Sequence, residues 1–370
     1  MISLVIPTYN EGAVIEQTLR RAAAALRAAH EEFELIVVDD SSADGTAEIA
    51  ESLGREFPVR VLRRPGRLGL ATAVLDGWAT ARGDLLAVMD ADLQHPPEIL
   101  RPLAEALRQP DTDMALASRY TPGGGMTGWS WIRRFISWGA THLASSVLPL
   151  TLADVSDPLS GMFALRRSVL DGVQLNPLGY KILLEVLAKG RYRKFTEVSY
   201  IFEPRGHGSS KLGPRQYLEY LMHLARLARS TRQLAAWVRY GSVGLSGAVV
   251  NIVGVYFLAE GFGWKLLAAL PLAIQLALLN NFIWNESLTF RKVPAADEPR
   301  KGLFTRLLRY EVICFSGALL NAGVTLILAD HGLRAALAAA GGVLTGGFWN
   351  FLLNVPAIWR VWGASRPRPA

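Results

Sequence analysis

One cysteine in 370 residues, Cys314, is too few for an intramolecular disulfide or a cysteine-built metal cluster. No Gly-x-Gly-x-x-Gly follows the first apolar run, and no Gly-x-x-x-x-Gly-Lys-Ser/Thr occurs anywhere. The dinucleotide-fold and P-loop ways of holding phosphates are therefore missing. Nothing in the motifs forms a Ser/His/Asp or Cys/His nucleophilic constellation, and there is no Gln-x-x-Arg-Trp run of the kind expected in a processive polysaccharide synthase. The first residues, Met1-Ile2-Ser3-Leu4-Val5-Ile6-Pro7, carry no basic stretch and meet a proline early, so they read as a strand and not as a signal peptide. Acidic residues are the scarcer sign, 32 against 39 Lys and Arg, for a net charge of +7. The surplus cations lie beside apolar spans and not along an aromatic groove. That argues against nucleic acid and for an anionic membrane surface or a phosphorylated substrate.

The mean hydropathy of +0.22 is high for a soluble protein, and the apolar residues are unevenly spread. Up to about Arg232 the chain reads as a soluble domain long enough to bury a core. From Trp237 onward it is membrane-like. In the first part, buried-strand runs at residues 2–6, 34–38, 59–62 and 85–89 alternate with helical patterns at 14–29, 46–53 and 69–80. This alternation predicts an α/β fold with a parallel sheet and short loops.

Polar residues cluster just after the predicted strands: Pro7–Glu11 after the first, Asp39-Asp40 after the second, Asp90-Ala91-Asp92-Leu93-Gln94 after the fourth. In a parallel sheet these ends share one edge, where open α/β sheets hold their ligands. Two carboxylates at i and i+2 suit Mg²⁺ or Mn²⁺ carrying a diphosphate. Each cluster also has a plainer reading. Asp90 and Asp92 can form a solvated acidic turn before a helix begun by Pro96-Pro97, Asp40 or Ser41 can cap the next helix, and Glu11 can answer a helix dipole.

Ile6-Pro7-Thr8-Tyr9-Asn10-Glu11, Val37-Val38-Asp39-Asp40-Ser41-Ser42 and Met89-Asp90-Ala91-Asp92-Leu93-Gln94-His95-Pro96-Pro97 resemble family 2 glycosyltransferases of the GT-A fold. More narrowly they are similar to its dolichyl-phosphate mannose synthase branch and the bacterial polyprenyl-phosphate relatives. Ser118-Arg119-Tyr120, Asp157-Pro158-Leu159-Ser160-Gly161-Met162-Phe163, Gly179-Tyr180-Lys181-Ile182-Leu183-Leu184-Glu185 and Arg205-Gly206-His207-Gly208-Ser209-Ser210-Lys211-Leu212 extend the resemblance over the first 230 residues. Met162 departs from the aromatic often found there, a change of packing.

The resemblance implies an inverting transfer of a hexose, mannose from GDP-mannose, to a polyprenyl (dolichyl-type) monophosphate. A UDP-sugar such as UDP-glucose is the rival donor. By the match, Asp90, Asp92 and Gln94 hold the metal, Mg²⁺ or Mn²⁺. Pro7, Tyr9, Glu11, Val38, Asp39 and Ala91 line the nucleotide-sugar pocket together with Asp90, Asp92 and Gln94. Tyr9 either stacks on the nucleoside or packs in the core. Arg119, Arg205 and Lys211 are the cations expected at the phosphates and, with Asp90 and Asp92, the catalytic set. The glycines between Arg205 and Lys211 fit a closing loop. Arg119, Arg133 and Ser137 would take the acceptor phosphate, with Trp129 and Trp131 at the lipid interface. Glu185 orients a pocket residue or merely serves its helix.

Residues 213–234 alternate apolar and basic positions at helical spacing, the pattern of an amphipathic helix on a membrane surface or of a solvated face. Four apolar spans follow, at about 237–258, 266–288, 310–329 and 333–358, each near the roughly 20 residues a bilayer requires. The loop between the second and third carries Arg291, Lys292, Arg300, Lys301, Arg306 and Arg309, and the tail carries Arg360, Arg366 and Arg368, whereas the other two loops hold one basic residue each, Lys265 and Arg334. The positive-inside rule then places both termini and the catalytic domain in the cytoplasm of an integral membrane protein. Arg239-Tyr240, Ser246-Gly247-Ala248 and Asn251 recur 70 residues on as Arg309-Tyr310, Ser316-Gly317-Ala318 and Asn321, and Asn281-Phe282 recurs 69 residues on as Asn350-Phe351. This parallel repeat resembles the GtrA-like four-span domain. Its asparagines either bridge helices or line a path for a lipid phosphate.

The expected organisation is a GT-A domain at 1–212, an interfacial helix at 213–234 and a GtrA-like membrane domain at 235–370. A lipid-linked-sugar flippase or transport component is the competing reading from another class.

Overall fold

The computed structural model describes residues 1–152, 154–204, 213–231, 233–285, 287 and 303–362. Two compact units emerge, the first made of residues 1–141 and 155–227, the second of residues 142–154 and 228–366.

Ile2–Thr8 (β1) is buried at every position, so it reads as a continuous apolar run and not as an alternation. That is the mark of a strand covered on both faces. It pairs in parallel with Phe33–Asp39 (β2) on one side and Leu85–Val88 (β4) on the other, and β2 pairs in parallel with Val59–Arg63 (β3). The chain thus builds outward from β1 to β3 and then returns to the opposite side of β1. The switch point between β1 and β4 opens a crevice at their C-terminal ends.

Beyond β4 the sheet is not parallel. Phe163–Arg166 (β7) runs antiparallel between β4 and Met114–Ser118 (β5), and Phe195–Ser199 (β8) closes the edge parallel to β5, giving the order β3-β2-β1-β4-β7-β5-β8. The sheet is therefore mostly parallel, as expected of a GT-A fold, and β7 is the antiparallel member because it returns from a long excursion and not from a simple strand–helix unit. A small pair, Gly125–Met126 (β6) with Ile201–Phe202 (β9), lies apart from this sheet.

Helices cover the sheet as their periodicity dictates. Ile15–Ala28 (α1) buries Ile15, Leu19, Ala22, Ala23 and Leu26, and Leu100–Leu107 (α4) buries Leu100, Leu103, Ala104 and Leu107. Both stripes join one core with Ile2, Leu4, Ile6, Leu35 and Val37. Leu70–Thr80 (α3) approaches the sheet so closely at Gly77 that an added Cβ would stand 2.6 Å from a Val5 methyl. Thr46–Ser52 (α2) follows β2. Met162 is fully buried in the same core, which accounts for an aliphatic side chain at that place in its motif.

The second unit contains Trp131–Val147 (α5) from His142 on, Pro149–Leu152 (α6), Gln233–Val255 (α9) continued by a π-helical turn at Tyr256–Gly261, Leu266–Trp284 (α10), Leu303–Asp330 (α11) and Ala335–Trp362 (α12). Each predicted span coincides with a helix. Two stretches among the described residues, Gly241–Gly261 and Leu266–Trp284, are long and apolar enough to cross a membrane, while Cys314–Asp330 is a shorter apolar helix. Of the four expected spans, four are helical and two meet the length and apolarity of a membrane span among the described residues.

The repeat has a packing cause. A Cβ added at Gly247 would overlap the Asn281 amide, and one at Gly317 would overlap the Asn350 amide. In both copies, therefore, a glycine lets the asparagine of the facing helix approach its backbone. The adjacent serines are matched as well. Ser246 Oγ accepts from Asn280 Nδ2 at 2.8 Å, and Ser316 Oγ accepts from Trp349 Nε1 at 3.1 Å. Of the two roles open to these asparagines, helix bridging is the one observed.

Candidate active site

Three loops converge on the switch point, and each contains one non-glycine residue in the left-handed region: Asn10 after β1, Ser41 after β2 and Leu93 after β4. For Asn and Ser that conformation is mildly costly; for Leu it is an outlier that surrounding structure must enforce. Leu93 sits between the two polar ends of the Asp90–Gln94 turn, so the strain is stored where the carboxylates are aimed. The turn is fastened from two sides. Thr18 Oγ1 of α1 donates to the Ala91 carbonyl at 2.8 Å, and the Gln94 backbone N–H donates to Asp92 Oδ1 at 3.1 Å. Gln94 is nearly buried, and its Nε2 donates to the Glu203 carbonyl at 3.2 Å. This fixes the amide so that its oxygen is the end available to a cation.

Gly161 completes the cradle. A Cβ there would stand 2.5 Å from Asp90 Oδ2 and 3.0 Å from His95 Cε1, so only glycine fits beside the first carboxylate. His95 is fully enclosed, stacked on Tyr200 at 5.4 Å and edge-on to Phe202 at 5.1 Å. Burial, with Arg119 and Lys181 nearby, pushes its pKa down to about 3. It is a neutral wall 3.7 Å from Asp90 Oδ2, not an acid or base. Two carboxylates and an amide make a partial set of hard oxygen donors. Among the described residues no cluster of three or more His, Cys, Asp or Glu forms a full cage. Such a partial set suits Mg²⁺ or Mn²⁺, which complete their shell with water and substrate phosphate.

Arg119, directly after β5, is buried and bonded twice to fully buried Asp157: Nε to Oδ2 and Nη2 to Oδ1, both at 2.7 Å. Burial works against its charge, but the carboxylate outweighs it and keeps the guanidinium pKa above its ordinary value. Its plane lies among Tyr120, Trp129 and Phe202 at 5.4, 5.9 and 5.7 Å. Arg133 stacks over Trp129 at 4.0 Å, and Ser137 Oγ lies 3.2 Å from the Tyr120 hydroxyl. The three residues expected at an acceptor phosphate are therefore gathered around one aromatic pair. Trp129 is half-buried and packs with them, whereas Trp131 is 76% exposed.

On the nucleotide side, Arg67 stacks over the Tyr9 ring at 4.4 Å. Asp39 accepts from Thr8 Oγ1, Ser42 N and Ser42 Oγ, which locks the β1 and β2 ends together. Pro7 and Val38 are paired across these strands and buried. Glu11, half-buried, accepts α1 backbone N–H groups through its carbonyl. Neither Asp40 nor Ser41 caps the next helix. Asp40 binds Arg64 at 2.6 Å and the Gly69 N–H at 2.8 Å, while Asp44 receives the Thr46 N–H at 3.2 Å at the start of α2. Arg205 and Lys211 lie outside the described residues.

Several neighbours of the site carried no role in the sequence reading. Asp157 and Gly161 belong to a motif read only as a resemblance, His95 to the turn itself, and Arg67 to a polar loop. Lys181 precedes Ile182–Lys189 (α7), and its Nζ donates to the Leu159 carbonyl at 2.6 Å. Burial and Arg119 push its pKa down to about 8, against the pull of Asp90 and Asp157. Glu185, one turn on, is fully buried. It accepts from His223 Nε2 at 2.7 Å, Lys189 Nζ at 2.5 Å and the Asn176 N–H at 2.9 Å. It therefore ties α7 to Pro214–Ser230 (α8), the amphipathic helix. Of its two expected uses, the structure shows the helix-anchoring one.

Comparison with known proteins agrees with this architecture. The family model for glycosyl transferase family 2 matches residues 3–173, and that for the GtrA/DPMS transmembrane domain matches residues 239–359. A dolichol-phosphate mannosyltransferase of Pyrococcus furiosus is 40% identical over 97% of this chain and 99% of its own length. One from Saccharomyces cerevisiae is 38% identical over 61% of this chain and 86% of its own. An undecaprenyl-phosphate mannosyltransferase of Micrococcus luteus is 34% identical over 64% of this chain and 98% of its own.

Proposed function

The chain belongs to glycosyl transferase family 2 and carries a GtrA/DPMS transmembrane domain, and on that footing we propose that it transfers mannose from GDP-mannose to a polyprenyl monophosphate, with inversion, at the cytoplasmic leaflet. The observation that carries this reading is the convergence of the Asp90-Ala91-Asp92 turn, strained at Leu93, with the Arg119, Arg133 and Ser137 group at one end of the sheet. Names of relatives with both dolichol and undecaprenol acceptors support a mannosyl donor and a polyprenyl phosphate in general.

The acceptor phosphate is already ionised near neutral pH, so alignment matters more than a strong base. Arg133, exposed on the face of Trp129, and Ser137, beside Tyr120, are the groups to receive it. Arg119, clamped by Asp157, offers a positive charge that needs no reorganisation when charge shifts during transfer. Asp90, Asp92 and Gln94 would hold a divalent ion, which would supply Lewis-acid stabilisation of negative charge on a diphosphate. Tyr9 with Arg67, and the Pro7, Val38 and Asp39 strand ends, frame the nucleoside. Arg205 and Lys211 complete the cation set at the diphosphate.

Exposed apolar residues favour access from lipid. Trp131, Ile132, Phe135 and Ile136 lie bare on α5, and Tyr217, Leu218, Leu221 and Met222 on α8. Arg133 stands among the first group, where a lipid-borne phosphate would arrive. The basic loop and tail favour a four-span membrane domain with both ends on the cytoplasmic side.

Purified protein supplied with Mg²⁺ or Mn²⁺, a polyprenyl phosphate and either GDP-mannose or UDP-glucose tests the proposal. Lipid-linked mannose from GDP-mannose is expected. Exclusive use of UDP-glucose would move the donor assignment, and no transfer from any nucleotide sugar would defeat the enzyme reading in favour of a transport component.

A further inference from the structure

Lys181 is a cation in an unfavourable place. Its Nζ donates to the Leu159 carbonyl at 2.6 Å and lies 4.9 Å from the centre of the Tyr180 ring. Both partners are neutral. No carboxylate among the described residues accepts from it. Asp157 has both oxygens on Arg119, one of them also receiving the Arg119 N–H. Asp90, the other carboxylate whose field reaches it, belongs to the turn assigned to the metal. The Arg119 guanidinium is close enough to oppose its charge. Holding an ammonium partly out of water beside a guanidinium, without a bonded counter-ion, lowers stability unless another anion arrives.

The placement is also rigid. The Leu159 carbonyl belongs to a buried stretch, residues 157–160, that leads into Gly161 beside Asp90. Ile182–Lys189 is pinned one turn later by the Glu185 bonds to His223, Lys189 and Asn176. A long lysine side chain is thereby fixed at both its backbone and its tip, which is the way a binding group is pre-organised and not the way a solvated charge behaves.

We propose that Lys181 binds a phosphate oxygen of the substrates directly, as a further member of the site beside Asp90 and Arg119. The inference rests on the function proposed above. The anion it takes is either the monophosphate of the lipid acceptor or the diphosphate of the donor, the two sources of the same chemistry in this reaction. The balance of charge supports the reading. Asp157 is neutralised by Arg119, so Lys181 remains to answer the charge that a phosphorylated ligand brings in.

The test separates charge from tethering. Lys181→Gln keeps a donor for the Leu159 carbonyl and removes the charge; Lys181→Met removes both. Binding of a short-chain polyprenyl phosphate in detergent and of GDP is measured separately by calorimetry on the full-length protein, together with the melting temperature and steady-state transfer. Loss of one charged hydrogen bond predicts an affinity about tenfold or more weaker for one probe in both variants, with no fall in melting temperature for Lys181→Gln. Weaker polyprenyl phosphate binding with unchanged GDP binding assigns the acceptor phosphate, and the reverse assigns the donor. Wild-type affinity for both probes in Lys181→Gln overturns the inference, as does a loss confined to Lys181→Met with a lowered melting temperature, which marks the lysine as a tether. Sugar transfer by the wild-type protein is scored in parallel, so failure of this inference is distinguishable from failure of the proposed function.

Discussion

The two units of this chain bury polar groups in opposite styles. In the first, the buried polar side chains that matter include charged sets: Asp40 with Arg64, Arg119 with Asp157, and Glu185 with Lys189. Two of these sets stand at strand ends or directly behind them. In the second unit the buried polar side chains among the described residues are neutral, Asn251, Asn285, Asn321, Thr325, Ser145 and Ser146 among them. The asparagines Asn281 and Asn350 meet glycines of facing helices. Charge is affordable next to water and next to a charged ligand, whereas a helix among lipids satisfies its own backbone and uses small residues and amides for contact. A polar residue in a buried place is thus a clue to chemistry in one half and to packing in the other.

Asp92→Ala breaks the contrast most severely. By analogy with removal of one transition-state-stabilising group, transfer should fall about 10²–10³-fold. Thermal unfolding is read in parallel, since Asp92 Oδ1 also accepts the Gln94 N–H of its own turn. A protein that keeps wild-type transfer has its metal elsewhere.

Glu185→Ala comes next and acts on the fold. It leaves buried His223 and Lys189 without their shared carboxylate, a loss of about 3–5 kcal/mol for a broken buried pair, read as a drop in the denaturation midpoint. Burial tends to raise the Glu185 pKa, but the His223, Lys189 and Asn176 hydrogen bonds hold it down to about 2. Because the folded value lies below the unfolded one, the stabilisation is complete above the ordinary carboxylate range. It is lost as pH falls from there through about 2. An acid titration of stability should therefore be shallower in Glu185→Ala than in the wild type over that window, and equal slopes would refute the assignment.

Gly317→Ala tests the neutral style. The added methyl overlaps the Asn350 amide, so overpacking of about 1–3 kcal/mol is expected in detergent-solubilised protein. Nucleotide binding by the first unit should be untouched; a neutral effect on melting would show that the helices are further apart than described.

The smallest effect separates the two copies of the repeat. Asn321 Oδ1 accepts from Thr325 Oγ1 at 3.2 Å, while in the first copy the equivalent of Thr325 is Val255 and the buried Asn251 Oδ1 has no hydrogen-bond partner among the described residues. Val255→Thr is nearly isosteric and supplies the missing donor. A gain of about 0.5–1.5 kcal/mol in stability is expected, and a loss would mean that the Asn251 oxygen is satisfied from outside the chain.

Much of this was legible in the chain because it depends on local periodicity. The continuous apolar runs at β1, β2 and β4 marked central strands, the α1 and α4 stripes marked core helices, and a 70-residue self-similarity marked the repeat. The strand β7 was not legible as antiparallel, since a four-residue apolar run carries no direction. The packing of Trp129 against Phe202 was equally hidden, because the residue type is the same for a surface aromatic and a packed one.

By itself, the sequence determined which residue types stand at the strand ends: two carboxylates and an amide after β4, arginine after β5, an aromatic and basic start to α5. Periodicity and short-range turn chemistry decide that much. Only the tertiary structure decided which of those groups are engaged and which remain to meet a ligand. It gave Arg119 to Asp157, made His95 a neutral wall, turned Gln94 by its bond to Glu203, and set Lys181 beside them without a counter-ion. Those partners lie tens of residues away in the chain, and the energy of a buried charge depends on its nearest neighbours in space, which no local pattern records.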